Sequence, residues 1–310
     1  MKLISVVTPC YNEEGNVEEL YRQIQAVFAA LPEYEYEQIF IDNASMDRTV
    51  ELVKGLAAQD KRVKLIVNTR NFGHIRSPYY ALLQARGAAV IAMASDLQDP
   101  PTMIPEFLRR WEEGYKLVVA VKAETHKAWP MRSIRRAYYR LMSRMSEVEL
   151  VQNFTGFGLY DQEVIQKLRE IDDPYPYFRG LICDLGYARA EVPFTQPRRA
   201  RGITKNNFYT LWDMAMLGIT NHSKMPLRLS ILTGFGLAGL SLLVALGYFV
   251  YKLLHWSSFQ VGVAPLVIGI YFFASVQLIF IGILGEYVGS IHTQVLKRPL
   301  VIEKERGNFD

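Results

Sequence analysis

Residues 3–14 read LISVVTPCYNEE, an apolar run rich in β-branched residues that stops at Pro9 and passes into polar side chains. Residues 17–31 then place apolar side chains on one face at helical spacing. The same alternation continues, with strands predicted over 39–41, 63–67 and 88–94 and helices over 48–59 and 77–85. Strands that alternate with helices are typical of a parallel sheet covered by helices on both faces. The sequence therefore predicts a Rossmann-like α/β domain with a mostly parallel sheet.

Polar side chains follow each of the first four predicted strands. These strand ends read PCYNEE (9–14), DNASMD (42–47), NTRNFGH (68–74) and SDLQDPP (95–101). In such sheets ligands bind outside the carboxyl ends of the strands, so the four segments are expected to form one site. The chain contains neither a GxGxxG nor a GxxxxGK loop, which argues against dinucleotide and P-loop binding. Acidic strand ends instead suit a metal ion that neutralises a diphosphate, with other carboxylates on base and ribose.

Two runs without Asp, Glu, Lys or Arg lie near the C-terminus, at 229–251 and 261–285. At ~1.5 Å per residue, each run is long enough to cross a hydrocarbon core of ~30 Å. Between them stand only Lys252 and His255, whereas basic residues flank the pair: Lys224, Arg228, Lys297, Arg298, Lys304 and Arg306. The positive-inside rule therefore predicts a hairpin in the cell (inner) membrane with both termini in the cytoplasm.

These features divide the chain into a cytoplasmic catalytic domain over 1–226, two transmembrane helices within 227–290 and a cytoplasmic tail over 291–310. Two cysteines give no disulfide framework, which suits a reducing cytosol. The net charge of +4 is mild, and we expect no nucleic-acid partner. Small residues in the first run permit close helix packing, so a homo-oligomer is left open: Gly234, Gly236 and Gly239.

Three strand-end stretches carry a family resemblance: VTPCYNEE (7–14), DNASMD (42–47) and DLQDPP (96–101). They resemble the family 2 glycosyltransferases with the GT-A fold. The paired C-terminal runs narrow the resemblance to the polyprenyl-phosphate group, which includes bactoprenol glucosyltransferases and dolichol-phosphate mannose synthases. Over nearly the whole chain, the resemblance implies inverting transfer of a sugar from a nucleotide sugar, expected to be a UDP-sugar, to a polyprenyl phosphate such as undecaprenyl phosphate.

The same resemblance implies roles for individual side chains. The residues expected to bind the nucleotide sugar are Pro9, Tyr11, Asn12, Glu13, Asp42, Asn43 and Asp96. Asp96 and Gln98 match family positions that hold a divalent ion on the diphosphate, and Asp96, Gln98 and Asp99 are the expected catalytic residues. Hard oxygen atoms suit Mg²⁺ or Mn²⁺, and the ion would stabilise the leaving nucleoside diphosphate.

The chain departs from the family pattern at three positions. Ala94 stands where the metal motif usually begins with another Asp, and Asp99 is a candidate to compensate. Gly156 and Gly158 replace an acid, proposed as a base, and an arginine on the acceptor side. A phosphate monoester has a second pKa of ~6 and needs positioning more than deprotonation. Asp161 is expected to be a helix N-cap. The departures leave two alternatives open: a GT-A transferase with a different membrane acceptor, and a non-catalytic scaffold that binds nucleotide sugar.

Basic side chains in two segments are candidates to hold phosphate. Residues 130–148 predict an amphipathic interfacial helix with an arginine stripe that includes Arg132 and Arg136. Residues 199–205 resemble the family's RxxGx[ST]K loop, and three of them are expected to clamp the diphosphate or the acceptor phosphate: Arg199, Arg201 and Lys205. Residues 206–222 predict a second interfacial helix. Residues 178–182 (FRGLI) also resemble a segment of that family, but no role follows from sequence for Arg179, and a structural role is left open. His74 follows the turn at 71–73 and is left open as a residue that faces the nucleotide sugar or, as for most lone loop histidines, the solvent.

Overall fold

The computed structural model describes residues 1–123, 151–197, 216–220, 223–255 and 263–309. Its eight strands are β1 Lys2–Cys10, β2 Tyr34–Asp42, β3 Val63–Asn68, β4 Ala89–Ala92, β5 Leu117–Lys122, β6 Phe154–Asp161, β7 Arg189–Phe194 and β8 Glu303–Gly307. The α-helices are α1 Val17–Ala29, α2 Thr49–Gln59, α3 Gly73–Gln84, α4 Ile104–Glu112, α5 Gln162–Ile171, α6 Phe178–Asp184, α7 Met225–Leu254 and α8 Val263–Leu296. The predicted interfacial helix at 130–148, and 206–222 apart from the helical residues 216–220, lie outside the described residues.

The eight strands form one mixed sheet in the order β7-β5-β6-β4-β1-β2-β3-β8. The central strands β4, β1, β2 and β3 run parallel to one another, as the alternation of strands and helices predicts. The later strands change direction, since β6 pairs antiparallel with both β4 and β5. The predicted α/β fold is thus confirmed, and the four predicted strand ends lie side by side at one edge.

Alternate residues of the central strands pack into two hydrophobic layers. Val6 of β1 belongs to the layer that contains α1 and α4 residues such as Leu20 and Phe107. Val7, its neighbour, belongs to the opposite layer, with α3 and α5 residues such as Tyr79 and Leu168. Because both faces of a parallel sheet are covered, its strands are almost continuously apolar. The polar residues that follow them must therefore serve the loops rather than the core.

The structure corrects the prediction that residues 291–310 form a tail separate from the catalytic domain. Helix α8 continues to Leu296, and β8 then pairs antiparallel with β3, so residues 303–307 complete the catalytic sheet. The side chain of Tyr80 donates a 2.8 Å hydrogen bond to Glu303, and Asn308 donates to the carbonyls of Ala57 and Val63 at 2.7 and 2.9 Å. The strand protects an edge of the sheet that β3 would otherwise expose.

Helices α7 and α8 are longer than the predicted runs and lie outside the core. Met225–Leu254 and Ile268–Leu296 are long and apolar enough to cross a membrane, with a mean hydropathy of 2.1 and none of the most apolar stretch buried. A Cβ on Gly234 would lie 3.9 Å from the Phe280 ring, so this glycine faces the other helix of the hairpin. Tyr287 of α8 donates a 2.6 Å hydrogen bond to the carbonyl of Ser223, just before α7.

Candidate active site

Hydrogen bonds join the loops that follow β1 and β2. The backbone N–H of Asn12 donates to Ser45 Oγ at 2.8 Å, and Asn12 Oδ1 accepts from the N–H of Met46 at the same distance. The N–H of Glu13 donates to Thr49 Oγ1 at 2.8 Å. These reciprocal bonds satisfy backbone groups that neither strand can pair, and they make the two loops one rigid surface. Pro9, Tyr11 and Glu13 are half-buried on it.

Two buried polar residues at the end of β2, Asp42 and Asn43, form hydrogen bonds that fix the loops after β2 and β3. Asp42 Oδ2 accepts a 2.9 Å hydrogen bond from the N–H of Ser45, and Asp42 also pairs with the Ser45 hydroxyl. Burial raises the pKa of Asp42 above its ordinary value, although the bonds from Ser45 act in the opposite direction. Asn43 uses both ends of its amide inside the protein, donating to Asn71 Oδ1 and accepting from the N–H of Phe72, each at 2.8 Å. It fixes the turn after β3.

Two aspartates in the loop after β4 accept hydrogen bonds from backbone N–H groups of the same loop. The N–H of Ala94 donates to Asp99 Oδ2 at 2.9 Å, and the N–H of Gln98 donates to Asp96 Oδ1 at 3.1 Å. Burial raises the pKa of Asp99 to about 6, and the neighbouring Asp96 charge adds to the increase. Gln98 Nε2 contacts the carbonyl of Pro197 at 3.4 Å, so the segment that precedes the predicted basic loop reaches this edge.

Three non-glycine residues in these loops adopt left-handed backbone angles, with φ of 55° at Asn12, 62° at Ala44 and 59° at Leu97. Such angles are uncommon outside glycine and cost free energy, least for Asn. One occurs in each of the loops after β1, β2 and β4. Each of these three loops at the acidic edge therefore contains one strained residue, and four further left-handed non-glycine residues lie elsewhere in the described chain: Asn153, Asp172, Lys297 and Asn308.

A cavity of about 390 Å³ lies between the end of the sheet and helices α3 and α6. Its sheet wall includes Pro9, Ala94 and Asp99, and its helix wall includes His74 and Arg179. Most of the other lining side chains are apolar: Val7, Ile75, Pro78, Leu82, Met93 and Phe178. Although the His74 side chain is exposed on one side, desolvation by the cavity wall, followed by the nearby Arg179 guanidinium, lowers its pKa from the ordinary value. A larger groove, of about 960 Å³, lies around the amino ends of β1 and β2, away from the acidic strand ends.

Two departures from the family pattern have structural explanations. Gly158 lies in β6 where a Cβ would come within 2.3 Å of the Val118 carbonyl oxygen, so the packing of β5 against β6 excludes an arginine there. Gly156 has a φ of 101° and lines the cavity, beside the ring of Phe178. The expected N-cap is confirmed, since Asp161 accepts a 2.9 Å hydrogen bond from the N–H of Glu163 at the start of α5.

The structure brings the residues predicted to bind nucleotide sugar and metal to one edge of the sheet. Five of the predicted phosphate-binding residues lie outside the described residues: Arg132, Arg136, Arg199, Arg201 and Lys205. The predicted site residues did not include His74 and Arg179, which line the same cavity although they are 105 positions apart along the chain. The Phe178–Ile182 resemblance was the one available signal for Arg179, because a lone arginine has no periodicity or spacing to identify it.

The oxygen atoms near Asp96 suit a divalent ion only in part. In the part of the chain that the structure describes, no three His, Cys, Asp or Glu side chains group as a metal site. Asp96 and Gln98, two residues apart in the same loop, offer one carboxylate and one amide oxygen. Mg²⁺ usually keeps several waters and takes one or two carboxylates plus substrate phosphates. The pair therefore fits an ion whose remaining ligands come from a diphosphate and water.

A mixed α/β sheet with acidic loops at the ends of β1, β2 and β4 is the architecture of the GT-A class of transferases, and the chain belongs to this class. Comparison with known sequences agrees: residues 5–169 match the glycosyl transferase family 2. The chain belongs to this family and is a glycosyltransferase.

Relatives extend the similarity beyond the catalytic domain. The bactoprenol glucosyl transferase of Shigella phage SfII is 32% identical over 308 residues, covering 98% of this chain and 99% of that protein. The prophage bactoprenol glucosyl transferase homolog of Escherichia coli strain K12 is 30% identical over 302 residues, covering 97% and 98%. Because nearly all of each protein is aligned, the similarity includes the two apolar helices and β8.

Among solved structures, the glucosyl-3-phosphoglycerate synthase from Mycobacterium tuberculosis in complex with UDP is similar with a TM-score of 0.48. It is 19% identical, and the match covers 71% of this chain and 78% of that one. S. aureus TarS 1-349 in complex with UDP matches with a TM-score of 0.41 and 18% identity, covering 72% and 66%.

Proposed function

We propose that the chain transfers a sugar from a nucleotide sugar, expected to be UDP-linked, to a polyprenyl phosphate at the cytoplasmic face of the cell membrane. The observation that carries this proposal is the similarity, over nearly the full length of both proteins, to relatives named bactoprenol glucosyl transferases. The fusion of a family 2 catalytic domain to two apolar helices supports an acceptor that resides in the membrane.

The nucleoside would bind across the joined loops after β1 and β2. Pro9, Tyr11 and Glu13 are half-buried there and Asn12 is exposed, so their surfaces are available to a base and ribose. Asp42 is only 1% exposed and bonded to Ser45, which supports a role in shaping the pocket wall. Asn43 is also buried, and we assign it to positioning the turn after β3 rather than to contact with the nucleotide.

The diphosphate would lie against the loop after β4, where the Asp96 carboxylate and the Gln98 amide oxygen would hold Mg²⁺ or Mn²⁺. When bound, such an ion neutralises negative charge on the leaving nucleoside diphosphate. The Ala94–Asp99 hydrogen bond keeps the loop in shape around these two side chains. Asp99 is therefore assigned to support of the loop, and Asp96 and Gln98 to contact with the substrate complex.

The acceptor phosphate would attack the anomeric carbon from the side opposite the diphosphate, which inverts the configuration of the sugar. At neutral pH a phosphate monoester is largely dianionic, with a second pKa of ~6, so proximity and orientation contribute more than a base. This explains how a chain with Gly156 in place of the family acid remains competent. Arg132, Arg136, Arg199, Arg201 and Lys205 remain candidates to guide the lipid or to screen the diphosphate.

Both ends of the α7–α8 hairpin would lie on the cytoplasmic side. Strand β8, after the hairpin, pairs in the same sheet as β1, which precedes it, and this supports a hairpin that returns to its starting side. Lys224, Arg228, Lys297 and Arg298 flank the apolar helices, whereas Lys252 lies at the turn between them. The positive-inside rule assigns the more basic side to the cytoplasm.

The proposal is tested with the full chain in detergent, undecaprenyl phosphate and a panel of labelled UDP-sugars, with Mg²⁺ or Mn²⁺ in each reaction. We expect label from one UDP-sugar to enter the organic phase only when undecaprenyl phosphate is present. The same reaction with undecaprenol, which differs only in lacking the phosphate, is the matched control and should give no product.

Two results would point to the alternatives. Label transferred to a different membrane acceptor, and not to undecaprenyl phosphate, would identify a transferase with another acceptor. Binding of nucleotide sugar without transfer or hydrolysis under every condition would identify a scaffold and would overturn the proposal.

A further inference from the structure

The cavity beside the strand ends has two walls of different chemistry. Ala94 and Asp99 lie on the sheet wall, next to the loop that carries Asp96 and Gln98. His74 and Arg179 lie on the helix wall, contributed by α3 and α6. The two helices are in direct contact, since the rings of Tyr79 and Phe178 meet edge to face at 6.2 Å. A sugar bound between the walls would have the leaving diphosphate on one side and a cationic side chain on the other.

We propose that Arg179 and His74 form the subsite for the phosphate of the attacking acceptor, a phosphate monoester carried by an isoprenoid chain. This inference rests on the proposed function and adds the residues that hold the nucleophile.

Arg179 lines the cavity, and its contacts with the described residues occupy only part of its hydrogen-bonding capacity. Its Nη1 donates one hydrogen bond of 3.3 Å to the Phe154 carbonyl, and its guanidinium lies 5.5 Å from the centre of the Tyr177 ring. Within the described ranges, no carboxylate forms an ion pair with it. A guanidinium carries five N–H groups, and two of them can bind a phosphate in parallel. The carbonyl bond and the ring therefore hold the side chain in place and leave donors for an anion.

His74 complements the arginine across the same wall. An imidazole has an N–H that can donate to a phosphate oxygen in either protonation state. The helix wall therefore combines one permanent cation with one further hydrogen-bond donor, which suits the oxygens of a phosphate monoester.

Gly156 removes the side chain that would compete with this anion. A Cβ at position 156 would lie 3.8 Å from the Phe178 ring, so an acidic side chain there would enter the cavity next to the residue before Arg179. Its carboxylate would pair with the guanidinium and repel a phosphate. Asp99 is the one acid among the described lining residues, and it comes from the loop after β4, where it is bonded to the N–H of Ala94.

The remaining lining suits the first carbons of an isoprenoid chain. Ile75, Pro78, Leu82 and Phe178 supply apolar surface next to the cationic end. Burial of apolar area contributes ~25 cal/mol per Å², so a phosphate with a short apolar tail should bind better than phosphate alone.

The transfer step balances without another reactant. A phosphate oxygen forms a bond to the anomeric carbon while the bond from that carbon to the diphosphate oxygen breaks. The bonding electron pair leaves with the nucleoside diphosphate. No proton is transferred when the attacking phosphate is a dianion.

The test measures binding to the full chain in detergent, with UDP present to fill the nucleotide site. The probes are geranyl phosphate and inorganic phosphate, titrated against the wild type, Arg179→Gln, Arg179→Lys and His74→Gln. Arg22→Gln, on the exposed face of α1, is the matched control. We expect Arg179→Gln to weaken geranyl phosphate binding by about 10-fold or more, as for a lost charge-assisted hydrogen bond. Arg179→Lys should recover part of the loss, and His74→Gln should cause a smaller one. UDP affinity should change less than twofold in all variants.

Turnover provides a second measurement. The KM for the lipid phosphate should rise in Arg179→Gln, while the KM for the nucleotide sugar and the slow hydrolysis of nucleotide sugar by water should stay at wild-type values. The unfolding midpoint of each variant should match the wild type within the range set by Arg22→Gln.

Three outcomes would overturn the subsite. Equal loss of UDP and geranyl phosphate binding would assign Arg179 to the nucleotide site or to folding. Equal affinity for inorganic phosphate and geranyl phosphate would show that the site binds phosphate without recognising the isoprenoid chain. Failure of the wild type to bind geranyl phosphate would show that the cavity does not bind an isoprenoid phosphate. By contrast, wild-type binding that depends on Arg179, without transfer to undecaprenyl phosphate, supports the subsite and contradicts only the proposed function.

Discussion

The backbone N–H of Ala94 donates a 2.9 Å hydrogen bond to the carboxylate of Asp99, five residues further along the chain. This bond joins the two ends of the loop after β4. Within that loop, the N–H of Gln98 donates a second hydrogen bond to the side chain of Asp96. The side chains that we assign to the diphosphate are therefore held by the loop that carries them. Ala94 contributes its backbone to this arrangement, so the residue that replaces a family acid still has a structural part in the site.

Substitution of Asp96 by asparagine should lower kcat by about 10²–10³-fold, as seen when one electrostatic contact to a developing charge is removed. The full chain should remain folded, because Asn still accepts the hydrogen bond from Gln98. Initial rates of lipid-linked sugar formation at several Mn²⁺ concentrations provide the measurement. EDTA should abolish the wild-type rate, and added Mn²⁺ should restore it.

Asp172→Asn is the matched control for Asp96→Asn, because the Asp172 side chain is 82% exposed at the end of α5. Its rate should stay within twofold of the wild type. A full rate in Asp96→Asn would contradict the assignment of this carboxylate to the diphosphate.

Gly158→Ala should destabilise the catalytic domain by about 2–3 kcal/mol, because the new Cβ would overlap the Val118 carbonyl oxygen, 2.3 Å away, and the strands would have to separate. Gly55→Ala in α2 is the matched control: nothing lies within 4 Å of its Cβ position. That change should stabilise the domain by about 0.5–1 kcal/mol, the helix preference of Ala over Gly. Urea unfolding followed by far-UV circular dichroism compares the two. An unchanged midpoint for Gly158→Ala would show that β5 and β6 tolerate a side chain there.

The sequence was sufficient for the central sheet and the acidic edge. Apolar runs followed by polar clusters predicted β1, β3 and β4 to within a few residues, because a strand buried on both faces has few polar positions. The start of β2 was missed by five residues, since Tyr34–Gln38 alternates aromatic and polar side chains although Glu37 and Gln38 are buried. Glu37 is satisfied by Ser5 and Lys64, which are distant in sequence and therefore invisible to local pattern.

Phe309→Ala should cost about 3 kcal/mol of unfolding free energy, since the ring is 8% exposed and belongs to the hydrophobic layer that contains Ile66 and Tyr79. Lys64 and Arg306 also contact its face, at 5.3 and 4.6 Å from the ring centre. Phe235→Ala in α7, where the ring is 75% exposed, is the matched control and should leave unfolding of the catalytic domain unchanged. Equal unfolding midpoints for the two variants would mean that the residues after β8 do not stabilise the sheet.

Asp47→Asn should reduce stability at pH 6 by about 1 kcal/mol, because Asp47 accepts hydrogen bonds from the N–H groups of Thr49 and Glu14 at 3.0 and 3.2 Å. Burial opposes ionisation of Asp47, but the hydrogen bond from the Thr49 hydroxyl, at 2.5 Å, and the two N–H bonds prevail and lower its pKa below the ordinary value. A lowered pKa stabilises the fold above the unfolded value, and that contribution disappears as pH falls through the folded value.

The difference in unfolding midpoint between wild type and Asp47→Asn should therefore be largest above pH 5 and should shrink below pH 4. Asp184→Asn, at an exposed position that ends α6, should show no such trend. A difference that is constant between pH 3 and pH 6 would mean that the charge of Asp47 does not contribute.

Strand β8 and the cavity could not be predicted from the sequence for a common reason. The segment Glu303–Gly307 reads EKERG, which lacks the β-branched residues of a typical strand, and its position is set by pairing with β3. His74 and Arg179 come together because α3 and α6 pack on the same face of the sheet. Contacts of this kind depend on topology, and no spacing along the chain encodes them.

Because β7 ends at Phe194 and β8 begins at Glu303, one sheet is assembled from two pieces of sequence that lie before and after the two long apolar helices. During synthesis, the ribosome has to produce both apolar helices before the strand that pairs with β3 is available. Until then, β3 presents an open edge to solvent, where it is a template for aggregation. Synthesis of the two apolar helices and completion of the catalytic sheet are thus consecutive events, and a delay in the first prolongs the time during which the edge of β3 is exposed.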